Sequence, residues 1–70
     1  MTDLVECRSD YQYAQRPTAV YWDGEWLSVQ VILADWEEPD GKGFRVLSGN
    51  LIAFDLFYSY EHDSWEVRPA

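Results

Sequence analysis

Thr18-Ala19-Val20-Tyr21-Trp22-Asp23-Gly24-Glu25-Trp26-Leu27-Ser28-Val29-Gln30-Val31-Ile32-Leu33 is the stretch that decides how the rest of the chain is read. Thr18 to Trp22 is rich in β-branched and aromatic side chains, which fit a pleated, half-buried surface. Pro17, just before it, fixes its own φ and holds Arg16 extended. Asp23-Gly24 supplies two residues that tolerate the positive φ of a type I′ turn, and Glu25 to Trp36 runs back as a long strand. A helix over residues 27–38 is the competing reading; Val29, Val31 and Ile32 weigh against it because branching at Cβ restricts χ1 in a helix.

Alternation along this second strand puts Leu27, Val29, Val31 and Leu33 on one face. Trp26, Ser28, Gln30, Ile32, Ala34 and Trp36 take the other, which turns apolar towards its end. A change of burial along one strand is what a strongly bent strand in a small barrel requires.

Working outward, turn signals divide the remaining chain into strand-sized pieces. Leu4 to Arg8 reads as a short first strand, and Ser9 to Pro17, without a clear period, as an ordered loop. Pro39, Asp40-Gly41 and Gly43 make Glu37 to Gly43 a loop before a strand from Phe44 to Ser48. Gly49-Asn50 reverses the chain into Leu51 to Ser59, and a polar connection, Tyr60 to Ser64, leads to a last strand from Trp65 to Arg68. Residues 1–3 and 69–70 are expected to fray.

Simple antiparallel pairing sets Trp36 opposite Phe44, Asp35 opposite Arg45 and Leu33 opposite Leu47. Across the next turn it sets Ser48 opposite Leu51, Leu47 opposite Ile52 and Arg45 opposite Phe54. Arg45 is then expected at the rim of the core, its head reaching Asp35.

The fold class expected is all-β: one domain over residues 1–70, a small antiparallel barrel or strongly coiled meander of five to six strands, SH3-like in size. A chain of 70 residues buries only about 60% of the surface it exposes when unfolded. Its cohesion must come from dense ring packing or from self-association.

Four Trp, five Tyr and three Phe accompany 13 acidic and 5 basic residues, a formal charge of −8. That charge repels phosphate backbones and anionic membrane surfaces, so neither nucleic acid nor a membrane is expected as partner. Cys7, the single cysteine, cannot form an internal bridge. No basic-then-apolar leader is seen, and the longest apolar runs, Val31 to Ala34 and Leu51 to Phe54, are far too short to cross a bilayer. A soluble, cytoplasmic protein is expected.

Candidate chemistry is sparse. Glu37, Glu38 and Asp40 form an acidic loop without the alternating spacing or terminal glutamate of an EF-hand, and read as solvated. His62 stands between Glu61 and Asp63 as a surface-turn histidine, and pairing it with Cys7 as base and nucleophile rests on a common coincidence. No catalytic residue, cofactor or metal ligand is assigned.

The rings divide by strand position. Trp22, Phe44, Phe54 and Trp65 are assigned to the core. Ile52, Phe54, Leu56 and Tyr58 share one face of their strand, leaving Asp55 and Phe57 on the other. Phe57, with Trp36 and Tyr60 near strand ends, is therefore a candidate for exposure.

Arg16-Pro17, Val20, Trp22-Asp23-Gly24, Val31-Ile32-Leu33, Trp36, Gly43-Phe44-Arg45-Val46 and Trp65-Glu66-Val67 together resemble a family of short uncharacterised bacterial proteins. Its members combine an Arg-Pro followed by a strand, a Val-x-x-Val-Leu-x-x-Trp-like strand, a Phe-x-Val strand and a closing Trp-x-Val or Trp-x-Leu. The likeness spans Val5 to Arg68, with departures at Ile32-Leu33 and in the Tyr58 to Ser64 connection. It implies a single-domain bacterial protein and brings no activity with it.

The function expected is a non-enzymatic protein-interaction module, with Trp36, Phe57, Tyr60, Asp35 and Arg45 as binding candidates and either a protein partner or self-association. Trp and Tyr concentrate at energetically dominant interface positions. The alternative is a small-molecule or cation-dependent enzyme using Asp35, Asp55 or His62 beside Arg45. A nucleic-acid-binding barrel is third, disfavoured by charge.

Overall fold

A computed structural model describes residues 4–10 and 14–70, with side chains for 4–7 and 16–70. Six antiparallel strands follow one another in a meander: β1 (Val5–Asp10), β2 (Ala14–Trp22), β3 (Glu25–Glu38), β4 (Gly41–Ser48), β5 (Ala53–Ser59) and β6 (Ser64–Pro69). The sheet curls into a half-barrel, and no ladder joins β1 to β6. The chain is all-β, as its turn spacing indicates. Among the described residues no helix is long and apolar enough to cross a membrane.

The first hairpin forms as read. Asp23 and Gly24 take φ of 53° and 84°, and Trp22 stands opposite Glu25. β3 then bends: Glu25 to Ser28 pair with β2, and Val29 to Glu38 pair with β4. The handover coincides with two register shifts, between Val29 and Val31 and between Ile32 and Ala34. Each inserts a residue that has no opposite number, kinking the strand and increasing its twist.

These bulges overturn the simple alternation. Leu27 is buried and Val29 packs against the core, but Ile32 also packs inward while Val31 and Leu33 are 47% and 52% exposed. The pairs beside the β3–β4 turn are set by that turn, with Glu38 opposite Gly41, and the bulge at Leu33 moves those beyond it. Trp36 faces Gly43 rather than Phe44, Asp35 faces Phe44, Ala34 faces Arg45 and Val31 faces Leu47.

The β4–β5 connection is longer than Gly49-Asn50 alone. Leu51 N–H donates to the Ser48 carbonyl and Ser48 N–H to the Ile52 carbonyl, each at 2.9 Å, and Leu51 takes a φ of 66°. One more residue in the turn sets Leu47 opposite Ala53 and Arg45 opposite Asp55. The expected Asp35–Arg45 ion pair is therefore replaced by Arg45–Asp55.

Three loop or terminus expectations also change. Ser9 pairs with Gln15 and Asp10 with Ala14, so the region read as a loop is largely a β1–β2 hairpin, with residues 11–13 outside those described. A register shift between Glu6 and Cys7 disturbs the period there, which hides the strands from alternation. Glu38 pairs with Gly41, so only Pro39 and Asp40 leave the ladder between β3 and β4. Pro69 stands opposite Phe54 and Ala70 N–H donates to the Ala53 carbonyl at 2.9 Å; residues 69–70 are held by the sheet. Residues 1–3 lie outside those described.

The core lies in the concavity. Val5, Val20, Leu27, Phe44, Val46, Phe54 and Leu56 are buried, with Cys7, Trp22, Val29, Ile32, Trp65 and Val67 packed around them. Trp22 meets Phe54 at 5.4 Å between ring centroids, tying β2 to β5. Trp65 lies 6.0 Å from Phe44 and 5.2 Å from Tyr58. Of the rings assigned to the core, Phe44 and Phe54 lie in it, and Trp22 and Trp65, partly buried, pack against it. Ser48 is also fully buried; its hydroxyl lies 2.5 Å from Asn50 Oδ1 and 2.8 Å from the Ile52 carbonyl, and accepts from Ile52 N–H at 3.3 Å.

Candidate functional site

Residues opposite one another in a ladder share a face of the sheet. On the face turned away from the core, the pairings run in rows from β3 to β6. One row is Ala34, Arg45, Asp55 and Arg68; the next is Trp36, Gly43, Phe57 and Glu66; a third is Glu38, Gly41, Ser59 and Ser64.

The middle row builds the site. Gly41 and Gly43 are buried although they lie on the outer face, because rings cover them. A Cβ on Gly43 would run into Cε2, Cζ2 and Nε1 of Trp36, and one on Gly41 into the Tyr58 carbonyl and the tip of the Phe57 ring. Glycines in a strand leave the neighbouring backbone bare, and a ring leaning across restores the missing contact. Trp36 Nε1 donates to Glu38 Oε2 at 3.0 Å, pinning the indole within its own strand.

Above these rings runs an open groove of about 350 Å³. Trp36 and Phe57 line its length, Glu38 and Asp40 stand at the β3–β4 end, and Asp55, Glu66 and Arg68 stand towards β6.

Arg45 binds Asp55 as a fork, Nε to Oδ1 at 2.7 Å and Nη2 to Oδ2 at 3.0 Å. Those hydrogen bonds hold the Asp55 carboxyl below its ordinary value of 3.8, against the opposing effect of burial and with a lesser contribution from charge attraction. The same contacts raise Arg45. Water reaches both side chains, 51% and 32% exposed, so the pair is well screened. Arg68 Nη2 lies 3.5 Å from Glu66 Oε1. Among the described residues no ion pair offsets Glu38 or Asp40, which leaves the β3–β4 end of the groove negative.

Of the residues singled out from sequence, Trp36, Phe57 and Arg45 come together on this face. Tyr60 does not; it is 51% exposed and rests on Tyr58, centroids 6.0 Å apart, at the opposite side of the sheet. Asp35 does not either, since it faces Phe44 on the core side of β3. Both displacements follow from ladder parity: Tyr60 follows β5 beside the inward-facing Tyr58, and the two-residue β3–β4 turn, with Glu38 opposite Gly41, sets Asp35 opposite Phe44 instead of Arg45.

The groove joins only one of the three acid/base candidates. Asp55 lines it, already engaged by Arg45. His62 lies in the exposed β5–β6 turn, its N–H donated to Ser59 Oγ at 3.2 Å, and Cys7 packs against the core from β1. Among the described residues no group of three or more His, Cys, Asp or Glu side chains is arranged to hold a metal ion.

Glu66 and Arg68 belong to the site without any motif marking them. The glycines do carry a signal: Gly41 and Gly43 stand two apart in a strand, so both bare one face to close approach. Compared with known proteins, the chain matches no protein-family model, no curated protein and no solved structure.

Proposed function

We propose that this protein is a non-enzymatic interaction module whose Trp36–Phe57 groove receives a basic segment of a partner protein. One observation carries the reading: two half-exposed rings form the floor of an open groove whose β3–β4 end presents the uncompensated carboxylates Glu38 and Asp40. Rings laid on glycine backbone are already ordered, so binding against them loses little further freedom. A Lys or Arg side chain gains both from the ring faces and from the carboxylates around them. The net charge of −8 draws such a partner in and opposes self-association.

The test is a nitrogen-15 NMR titration with a lysine-rich peptide, with a glutamate-rich peptide as control. The Trp36 indole, Phe57 and Glu66 resonances should move with the basic peptide, less so at high salt, and Trp36→Ala should abolish the response. Shifts confined to the Tyr60 and His62 end, or equal shifts with the acidic peptide, would overturn the reading.

A further inference from the structure

We infer that the partner segment docks as a seventh antiparallel strand on the free edge of β6, with a single basic side chain opposite Glu66 and apolar side chains on either side of it. This rests on the groove being the binding site and adds the geometry of the occupant. Ladder parity identifies the free groups. Ala70 N–H bonds the Ala53 carbonyl, so in this register residues 64, 66, 68 and 70 turn their N–H and C=O groups towards β5. Trp65 and Val67 therefore turn theirs away from β5, on the side where, among the described residues, no strand pairs with β6. Pro69 has the same parity and offers only a carbonyl.

The other free edges are less suited. β1 carries a register shift between Glu6 and Cys7. Val29 to Glu38 of β3, free on the side that β2 has left, carries two shifts and the charges of Asp35, Glu37 and Glu38. Bulges and charges of this kind blunt an edge. β6 pairs with β5 through six successive residues without a shift, and its free side is regular.

The side-chain chemistry of the occupant follows from the two faces of β6. Trp65 and Val67 lean against the core yet remain partly exposed, so residues opposite them would extend the core and should be apolar. Glu66 ends the row Trp36, Gly43, Phe57, so the residue opposite it lies on the groove face and should be basic. Arg68 ends the neighbouring row beside Asp55, so a second basic residue there would meet like charge. Main-chain hydrogen bonds with alternate side-chain selection are how extended peptides add to sheet edges.

The probe is the end-blocked peptide Ser-Thr-Val-Lys-Val-Thr-Ser, with Glu in place of Lys as control, and the readout is amide hydrogen exchange of the whole protein by NMR. The Trp65 and Val67 amides should exchange rapidly in the free protein and slow several-fold at saturating peptide, while those of Glu66 and Arg68, already bonded to β5, should be unchanged. Shifts at Trp36 and Phe57 with no slowing at Trp65 and Val67 would overturn strand addition and leave the groove reading standing. No shift at Trp36 or Phe57 with this peptide or a lysine-rich one would overturn both. Equal protection by the Glu peptide would overturn the selection of a basic residue.

Discussion

Trp36 stands opposite Gly43 in the β3–β4 ladder, and its indole fills the space that a side chain at position 43 would take. The pair sets the groove floor. One strand along, Phe57 does the same for Gly41, where the Tyr58 carbonyl closes the space as well.

The two glycines should respond differently to substitution. In Gly43→Ala the atoms nearest the new methyl belong to the Trp36 indole, a side chain that can swing away; a loss of about 1 kcal/mol with a marked change in Trp36 indole shift is expected. Gly41→Ala meets backbone, which cannot move without breaking the ladder, and a loss nearer to about 3 kcal/mol is expected. Urea midpoints of the two variants check the order.

Asp55 supplies a pH dependence of definite sign. Its folded-state pKa lies below the ordinary 3.8 because Arg45 hydrogen-bonds the ionised form. The contribution is therefore complete above the unfolded-state value and disappears as pH falls through the folded-state value. Asp55→Asn should lower stability slightly at neutral pH and soften the fall on acidification, whereas Asp35→Asn, without that partner, should leave the Arg45-linked part of the profile unchanged. Denaturant midpoints followed from neutral pH into the acid limb provide the comparison.

Leu51 holds a φ of 66° with its side chain 78% exposed. A branched residue in the left-handed region is strained by roughly 1–2 kcal/mol, and glycine is not. Leu51→Gly should raise stability by about 0.5–1 kcal/mol after the greater unfolded-state entropy of glycine is deducted. Calorimetric melting of the two proteins is the direct measurement.

Ser48 is fully enclosed, and its hydroxyl organises the β4–β5 turn through Asn50 and Ile52. Ser48→Ala should cost about 1–2 kcal/mol, the usual penalty when a buried hydrogen bond is lost. Exchange of the Ile52 amide should quicken beyond the global change.

What the amino-acid sequence determines by itself is local chemistry. Asp23-Gly24 specifies a tight hairpin because both residues accept positive φ, and β-branched and aromatic runs specify strands because those side chains fit a pleated surface. Alternation along residues 53–59 separates Phe54 and Leu56, buried, from Asp55 and Phe57 on the outer face, so half of the site is legible there. The tertiary structure alone decides register. Bulges near Gln30 and Leu33 and the longer turn ending at Ile52 each insert residues that alternation does not reveal, and a one-residue slip exchanges the two faces of a strand. The longer turn is why Arg45 meets Asp55, and the two-residue turn Pro39-Asp40, which sets Glu38 opposite Gly41, is why Trp36 rather than Asp35 shares the groove face with Arg45 and Phe57 and lies over Gly43 instead of opposite Phe44.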